Sequence, residues 1–295
     1  MAKTETKKHH FVPRTYLKNF AHRKNDDFYV SVLQKDQPCE KIFESNIINI
    51  CAENHLYTLT GNNESRLQLE NIYSNVFENE YADLFSILTN DDIWDITSDK
   101  KISIISAVIT MFYRTKKWIN EYNIFADEAL NKIFQTCKQY DADHYINTNG
   151  KRINIKDKSL EQLQYNQKNI TRIPMILTQL KTALKLIEAK QFDNINVLKI
   201  NDNSEFITSD NPVIARNTNN TTIIPFGIDN AYYLPISNKY LLSIFPKEDL
   251  PVNTKIMRME ISKEQVADLN SSQLFYSDKF IIGSKNGIIE TIENM

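Results

Sequence analysis

Two adjacent histidines near the start of the chain are the first residues that could do chemistry. His9 and His10 are followed by Phe11-Val12-Pro13, and the residue before a proline favours extended backbone. Because neighbouring side chains of a strand point to opposite faces, we expect one imidazole to point inward and the other outward. The inward imidazole could be a metal ligand, a general base or a phosphate contact, which makes both histidines candidate catalytic residues. The alternative is a core histidine whose hydrogen bonds hold the N-terminal segment in place.

A polar turn, Ser209-Asp210-Asn211, follows an apolar segment and precedes Pro212. Asp and Asn side chains readily bond the downstream amides of their own turn, which is the structural interpretation. The functional interpretation makes Asp210 a catalytic carboxylate that holds Mg²⁺ or Mn²⁺ or orients a histidine, with Ser209 and Asn211 as substrate contacts. A nucleophilic Ser209 would need a base beside it, and no G-x-S-x-G motif surrounds it, so a hydrolase triad is not predicted.

Arg114 lies on the flank of an apolar helical stripe, where we expect it to be half-buried. An unpaired buried charge is costly, so this guanidinium needs a partner. Asp210 or a substrate phosphate would fit its planar fork, which makes Arg114 a further candidate catalytic group. The structural alternative is an internal salt bridge with Glu70 or Glu80. Glu70 is also the candidate second metal ligand.

The N-terminal segment is strongly basic. Between residues 1 and 24 a single acid, Glu5, stands against the basic residues Lys3, Lys7, Lys8, Arg14, Lys18, Arg23 and Lys24. Aromatic residues lie between these charges, and Arg14 and Tyr16 are candidate substrate contacts. Basic groups mixed with aromatic rings suit a phosphate backbone and stacked bases, so nucleic acid is the predicted partner. The alternative is a solvated basic tail whose aromatic residues belong to the core, and the net charge of −2 does not by itself demand nucleic acid.

The elements that must position these groups fall into two regions. Helical periodicity is present over residues 64–88, 101–120, 122–140 and 160–189, with a break or bend expected at Pro174. Strands are predicted over residues 28–34, 41–44, 56–60, 195–200, 205–208, 223–226, 232–236, 240–245 and 278–282, and a helix capped by Ser262 over residues 262–275. This segregation predicts an α+β fold in which a helical middle region packs on a mainly antiparallel sheet from the C-terminal third. We predict one domain over residues 1–295, which allows a subdivision into residues 1–63, 64–189 and 190–295.

Composition limits the class of protein. The hydrophobic content of 41% and charged content of 24% are those of a globular chain, not a disordered one. Only 5 glycines are present, and neither G-x-G-x-x-G nor a P-loop motif occurs. The cysteines Cys39, Cys51 and Cys137 form no C-x-x-C pair, which favours free thiols in a reducing compartment. Since no signal peptide or membrane span is predicted, we expect a cytoplasmic protein of undetermined oligomeric state.

Four segments together resemble the bacterial domain-of-unknown-function family numbered 4238. They are His9-His10-Phe11-Val12-Pro13-Arg14-Thr15-Tyr16-Leu17-Lys18-Asn19-Phe20-Ala21, Met111-Phe112-Tyr113-Arg114-Thr115, Phe206-Ile207-Thr208-Ser209-Asp210-Asn211-Pro212-Val213 and Leu234-Pro235-Ile236-Ser237. The first and third segments are fairly specific, and the four span most of the chain. The resemblance implies a shared fold and supplies no reaction.

Two functions follow from these residues. The first is a phosphodiester-cleaving enzyme, in its fullest form a metal-dependent nuclease acting in bacterial defence or conflict. One histidine would be base or ligand, Asp210 would hold the metal and Arg114 would stabilise charge on the phosphate. The second is a non-catalytic module that binds an anionic ligand, nucleic acid or a partner protein. Both require polar segments about 200 residues apart to meet in one cleft.

Overall fold

The computed structural model describes residues 8–59, 68–73, 79–140, 143–148, 151–217, 227–246 and 253–294. It contains 49% helix and 25% strand, with mainly antiparallel sheets and a helical middle region, so the predicted α+β class is confirmed. The chain forms two compact units, one made of Met1–Thr115 with Leu180–Met295 and the other of Lys116–Gln179. The single domain and its subdivision after residues 63 and 189 stay a prediction, since two compact units can belong to one domain.

The described helices and strands are as follows in chain order. The helices are α1 (Arg14–Leu17), α2 (Gln68–Ile72), α3 (Tyr81–Thr89), α4 (Ser98–Arg114), α5 (Lys117–Gln139), α6 (Leu160–Lys190), α7 (Lys263–Tyr276) and α8 (Lys285–Glu293). The strands are β1 (Lys8–His10), β2 (His22–Lys24), β3 (Asp27–Gln34), β4 (Phe43–Asn46), β5 (Ala52–Asn54), β6 (Tyr145–Thr148), β7 (Lys151–Asn154), β8 (Asn194–Ile200), β9 (Thr208–Ser209), β10 (Ile214–Asn217), β11 (Asn230–Pro235), β12 (Tyr240–Phe245), β13 (Ile256–Ile261) and β14 (Phe280–Gly283).

Two larger sheets and one short ladder organise the first unit. The first sheet has the order β10-β11-β12-β8-β13 and is antiparallel except where β13 runs parallel to β8. The second has the order β2-β3-β14-β9, with β4 paired to β3. In the short ladder, β1 pairs antiparallel with β5. This last pairing fixes the orientation of the two histidines.

Apolar side chains from the strands pack against the two C-terminal helices. One cluster joins the first sheet to α7 and contains Ile200, Phe206, Leu241, Ile261, Val266 and Leu269. The other joins the second sheet to α8 and contains Leu33, Ile207, Ile281 and Ile288. The segment just before β9, which leads into the Ser-Asp-Asn turn, contributes to both clusters through Phe206 and Ile207. The turn is therefore held at its start by two parts of the core.

Several sequence predictions match the structure closely. Pro13 precedes α1, and its carbonyl accepts the amide hydrogens of Tyr16 and Leu17, both fully buried. The strands predicted over residues 28–34, 195–200, 232–236 and 240–245 correspond to β3, β8, β11 and β12. Ser262 caps α7 in a full capping box with Gln265, as the Ser-x-x-Gln spacing favours.

The central helices differ from their predicted bounds. The helix predicted over residues 101–120 is α4, which begins at Ser98 and is capped by Thr97. It ends at Arg114 because Thr115 adopts extended backbone, with φ −67 and ψ 157, and a separate helix begins at Lys117. The prediction of one helix through residue 120 was therefore wrong. Of the bend or break predicted at Pro174, the break was wrong, because α6 runs from Leu160 to Lys190 with this proline inside it, and the bend stays a prediction.

Other segments were missed or misassigned. The strand predicted over residues 56–60 was wrong for 56–59, which form the end of a turn and an irregular segment, while Ala52–Asn54 form the strand instead. Within the predicted helix 64–88 the structure shows α2 and α3, and residues 64–67 and 74–78 lie outside the described chain. The predicted strand 223–226 also lies outside it. Strands β10 and β13 and helix α8 were not predicted.

The second unit is built from α5, the β6–β7 hairpin and the first part of α6. The two strands pair antiparallel, from Tyr145 opposite Asn154 to Thr148 opposite Lys151. Its small core contains Phe134, Cys137, Ile155 and Leu163, with Leu160 packed against it.

Candidate functional site

The pairing of β1 with β5 decides which histidine faces inward. His9 is fully buried, while His10, on the opposite face of the strand, is only partly buried. Directly opposite His10 in the ladder stands Ala52, and opposite Lys8 stands Asn54. The outward face of the ladder therefore carries a lysine, a histidine and two uncharged side chains.

His9 is the centre of a buried polar cluster. Its Nδ1 accepts the backbone N–H of Tyr57 at 3.0 Å, and the two rings stack with centroids 5.8 Å apart. Because Nδ1 is an acceptor, the proton of the neutral ring is assigned to Nε2. Glu70 Oε2 lies 3.8 Å from the same Nδ1. Two predicted site residues, His9 and Glu70, are thus brought together.

Arg114 enters the same cluster from the end of α4 and is 5% exposed. Its Nη2 donates to the backbone carbonyl of His10, and its Nε donates to the Tyr57 hydroxyl at 3.3 Å. The guanidinium carbon lies 4.6 Å from the ring centre of Tyr73 and 5.5 Å from that of Tyr57. These contacts make Arg114 a clamp on β1. Of the acids predicted as alternative partners, Glu80 lies 3.5 Å from Lys100.

Asp210 is buried, and both of its carboxylate oxygens accept backbone amides. Oδ1 accepts the N–H of Asp278 at 2.9 Å, and Oδ2 accepts those of Lys279 and Phe280 at 2.8 and 3.1 Å. Burial raises the pKa of this carboxyl to about 6, and the three N–H donors only partly oppose that rise. The side chain ties the turn to the start of β14, about 70 residues away along the sequence.

The neighbours of Asp210 are engaged in the same way. Asn211 Oδ1 accepts the Thr115 hydroxyl at 2.8 Å, and its Nδ2 donates to the carbonyl of Tyr276 at 2.9 Å. Gln273 Nε2 donates to Ser209 Oγ at 2.5 Å and to the carbonyl of Asn211 at 3.0 Å. Both Ser209 and Asn211 are buried, and these bonds lock the turn against α4 and α7. Their predicted contact with a substrate stays a prediction that this arrangement does not support.

Tyr16 is likewise an internal connection. Its buried hydroxyl donates to the carbonyl of Pro235 at 2.7 Å and lies 2.6 Å from Thr208 Oγ1. Arg14, two residues earlier in the chain, is exposed. Of the two N-terminal residues predicted as substrate contacts, Arg14 therefore has the accessible side chain.

Direct hydrogen bonds join the four sequence segments that carry the family resemblance. Tyr16 of the first reaches Thr208 of the third and Pro235 of the fourth. Arg114 and Thr115 of the second reach His10 and Asn211. The family model described as "Protein of unknown function (DUF4238)" matches residues 8–287, nearly the whole chain. The chain belongs to this family. No curated protein and no solved structure matches the chain.

Within this DUF4238 chain, sequence reasoning missed three residues of the network. Tyr57 was assigned to a strand, Tyr73 was not singled out, and Gln273 was placed in the helix over residues 262–275 with no role of its own. The signal available for Gln273 was its position one turn after Leu269, on the buried face of α7. Nothing local marks Tyr57, because its amide hydrogen bonds to a residue 48 positions earlier.

The described part of the DUF4238 chain also bears on the metal and membrane predictions. No group of three or more His, Cys, Asp or Glu side chains there is arranged to hold a metal ion. The metal-binding role of Asp210 and Glu70 stays a prediction without support from the geometry. No helix in that part combines the length and hydropathy needed to span a membrane.

His10 is the accessible histidine of the DUF4238 motif, and its surroundings are cationic. Its Nε2 lies 3.2 Å from the carbonyl oxygen of Ile48. Burial, followed by the charge of Arg14 and with further contributions from Arg114 and Lys8, lowers the pKa of His10 from 6.5 to about 4. The imidazole is therefore neutral at neutral pH.

The first prediction concerns the pH dependence of stability. Since the pKa of His10 is about 4 in the folded protein and 6.5 is its ordinary value, the unfolded chain binds more protons between these limits. The contribution of the neutral His10 to the free energy of unfolding is complete above pH 6.5 and is lost as the pH falls toward 4. We expect wild type to lose about 1–2 kcal/mol relative to His10→Gln between about pH 7 and about pH 4.5, after solvent screening of this partly buried ring is included. Urea unfolding of both proteins across this range measures the difference, and parallel pH curves would contradict the assignment.

Proposed function

We propose that this protein binds a phosphate-bearing anion, nucleic acid in particular, on a surface formed by Lys8, His10 and Arg14, hereafter the N-terminal surface. The observation that carries the proposal is the sign of the charges around His10. The charges that contribute most to lowering the pKa of its imidazole are those of Arg14, Arg114 and Lys8, and all three are cations. A concentration of positive charge around a partly exposed, neutral imidazole favours an anionic ligand.

The geometry gives each residue of the N-terminal surface a role. Arg14 is exposed at the start of α1, where its guanidinium can bind a phosphate through two N–H groups. Lys8 Nζ donates to Asn49 Oδ1 at 2.9 Å, which holds the ammonium beside the same ladder. His10 offers an uncharged ring whose N–H group can donate a hydrogen bond to a phosphate oxygen. Arg114 supports this surface from beneath through the carbonyl of His10.

The remaining basic residues of the N-terminal segment have local partners. Lys18 lies 4.4 Å from the ring centre of Phe28, Arg23 is paired with Asp26 at 3.1 Å, and Lys24 with Glu44 at 3.3 Å. These contacts partly satisfy their charges, so the proposal is built on Lys8 and Arg14. Lys3 and Lys7 lie outside the described residues. The predicted cytoplasmic location is kept, because nucleic acid is present there.

Phosphodiester cleavage is the second candidate, and one observation favours it. His10 stays unprotonated at neutral pH beside the proposed phosphate site, as a general base must. A pKa near 4 makes a weak base in the free protein, but a bound anion would offset the charges of Arg14 and Lys8 and raise that pKa. This candidate assigns no step to Asp210, whose two oxygens accept backbone amides.

Charge removal at Arg14 tests the proposal. The affinity of a short fluorescein-labelled RNA, and of DNA with the same sequence, is measured by fluorescence anisotropy. At about 50 mM NaCl we expect Arg14→Gln to weaken binding about tenfold, and wild-type binding to weaken steeply toward about 200 mM. The control is Lys285→Gln, which removes the same charge from an exposed position on α8 and should leave the affinity within about twofold of wild type. Equal affinities of wild type and Arg14→Gln would refute the proposed surface.

The same samples separate binding from cleavage. After incubation, the labelled oligonucleotides are run on a denaturing gel, with and without EDTA. If the protein binds the oligonucleotide and leaves it intact, the result supports a non-catalytic binding module. Cleavage that His10→Gln abolishes, while its folding and binding are retained, supports the enzyme.

A further inference from the structure

A cavity in the second unit shares no lining residue with the N-terminal surface. It lies between the C-terminal end of α5, the turn of 3-10 helix at Ile155–Asp157 and the first turn of α6. Its volume is about 570 Å³. Sites for small organic ligands span roughly 300–1,000 Å³, so one such molecule fits.

The floor of the cavity is apolar. Phe134, Ile155 and Leu160 line it, and all three belong to or pack against the small core of this unit. Phe134 and Ile155 are 8% and 2% exposed, so they form a fixed surface, while Leu160 is only partly buried. Such a floor accommodates an aliphatic chain or a ring.

The rim of the cavity is cationic. Lys138, Lys156 and Lys158 line it together with one acid, Glu161, which leaves a net charge of +2. Lys138 Nζ lies 4.5 Å above the ring centre of Phe134, which places a positive charge directly at the edge of the apolar floor. Lys156 lies 3.5 Å from Asp143, so Lys138 and Lys158 are the lysines best placed to meet a ligand. The cavity also adjoins the N-terminal end of α6, where the helix dipole adds to the positive potential.

We propose that this cavity binds an amphipathic anion, an apolar chain or ring that carries a single carboxylate or phosphate. The apolar part lies on Phe134 and Leu160, and the anionic group meets Lys138 and Lys158. The apolar floor and the cationic rim need separate reasons. A purely structural core needs no lysines around it, and a solvated basic patch needs no apolar cavity beneath it. A ligand with both properties satisfies both.

Displacement of a fluorescent probe tests the site in the full-length protein. The probe is 8-anilinonaphthalene-1-sulfonate, an aromatic sulfonate, and the competitors are dodecanoate, dodecyl phosphate and the uncharged alcohol dodecanol. We expect both anions to displace the probe and the alcohol to bind about tenfold more weakly. The ranking of the two anions identifies whether the site favours carboxylate or phosphate.

Matched variants and a second measurement locate the binding. Lys138→Gln with Lys158→Gln should weaken dodecanoate about tenfold, whereas Lys132→Gln, an exposed charge on the same helix, should have no effect. Methyl NMR of the same titration should shift the signals of Ile155 and Leu160 first. Three results would overturn the inference: no saturable binding, equal affinity for dodecanol, or shifts confined to methyl groups of the first unit.

Discussion

Asp210→Ala is expected to destabilise the first unit by about 3 kcal/mol, which is among the largest single-residue effects in this protein. The carboxylate accepts three backbone amides at the start of β14, and alanine would leave all three without this acceptor. Hydrogen bonds to charged groups contribute about 1.5–3 kcal/mol each, but burying the carboxylate has a cost that its raised pKa records. The balance of these two terms gives the expected loss.

Two further substitutions sharpen this test. Asp210→Asn keeps one oxygen for two of the amides and should lose less than Asp210→Ala. Asp202→Ala is the matched control, because its exposed carboxylate accepts one amide, that of Ser204 at 2.7 Å, and its loss should stay below about 1 kcal/mol. Unfolding in urea is followed by the fluorescence of Trp94 in a Trp118→Phe background, so that the signal comes from the first unit. If Asp210→Ala is as stable as wild type but has lost an oligonucleotide cleavage that wild type shows, Asp210 is again a candidate catalytic residue.

The elements that could be predicted from the sequence are those with strong local signals. Strands β8, β11 and β12 are rich in β-branched and aromatic residues, and α7 begins with a capping box. Strand β13 was missed because two apolar residues, Met257 and Met259, are exposed on it. Its sequence therefore lacks the alternation of apolar and polar residues that predicts a strand. Helix α8 was missed because Gly287 stands in its first turn, where its small size leaves room for the carboxylate of Glu205.

The site was harder to predict, because long-range pairing decides it. The alternation of strand side chains showed that one histidine must face inward, but only the pairing of β1 with β5 identifies it as His9. Local turn chemistry explains the bond from the Asn211 amide to Ser209 Oγ at 3.0 Å. It does not predict that Asp210 bonds to residues 278–280 instead of its own turn. That partnership depends on β14 reaching β9 in the second sheet, which no local pattern specifies.

The hydrogen bonds that join the family segments have a structural role, and the proposed function depends on it. Three of the four segments contribute buried polar side chains that bond to another segment, and the fourth contributes the carbonyl of Pro235. The accessible groups lie on the outward face of β1 and the start of α1. The buried network therefore holds the accessible N-terminal surface in one conformation. This arrangement favours a positioning role for Arg114, and its catalytic role stays a prediction.

Arg114→Met is the second large effect, with an expected loss of about 3 kcal/mol. Methionine retains much of the apolar stem but removes the donors to the His10 carbonyl and the Tyr57 hydroxyl, and with them the charge above Tyr73. A double-mutant cycle with Tyr57→Phe should show a coupling energy of about 1 kcal/mol, because both residues act through one hydrogen-bonded pair. Urea unfolding under the conditions used for Asp210 measures all four proteins.

A positioning role and a phosphate-binding role for Arg114 predict opposite results for Arg114→Lys. Lysine keeps the charge but cannot reproduce the planar fork that reaches both the carbonyl of His10 and the hydroxyl of Tyr57. If Arg114 positions β1, this variant loses stability, and RNA affinity measured where it is fully folded stays close to that of wild type. If Arg114 instead meets the phosphate, stability is retained and affinity falls. The second result would move the anion site from the outward face of β1 to the buried side, where His9 and Glu70 lie.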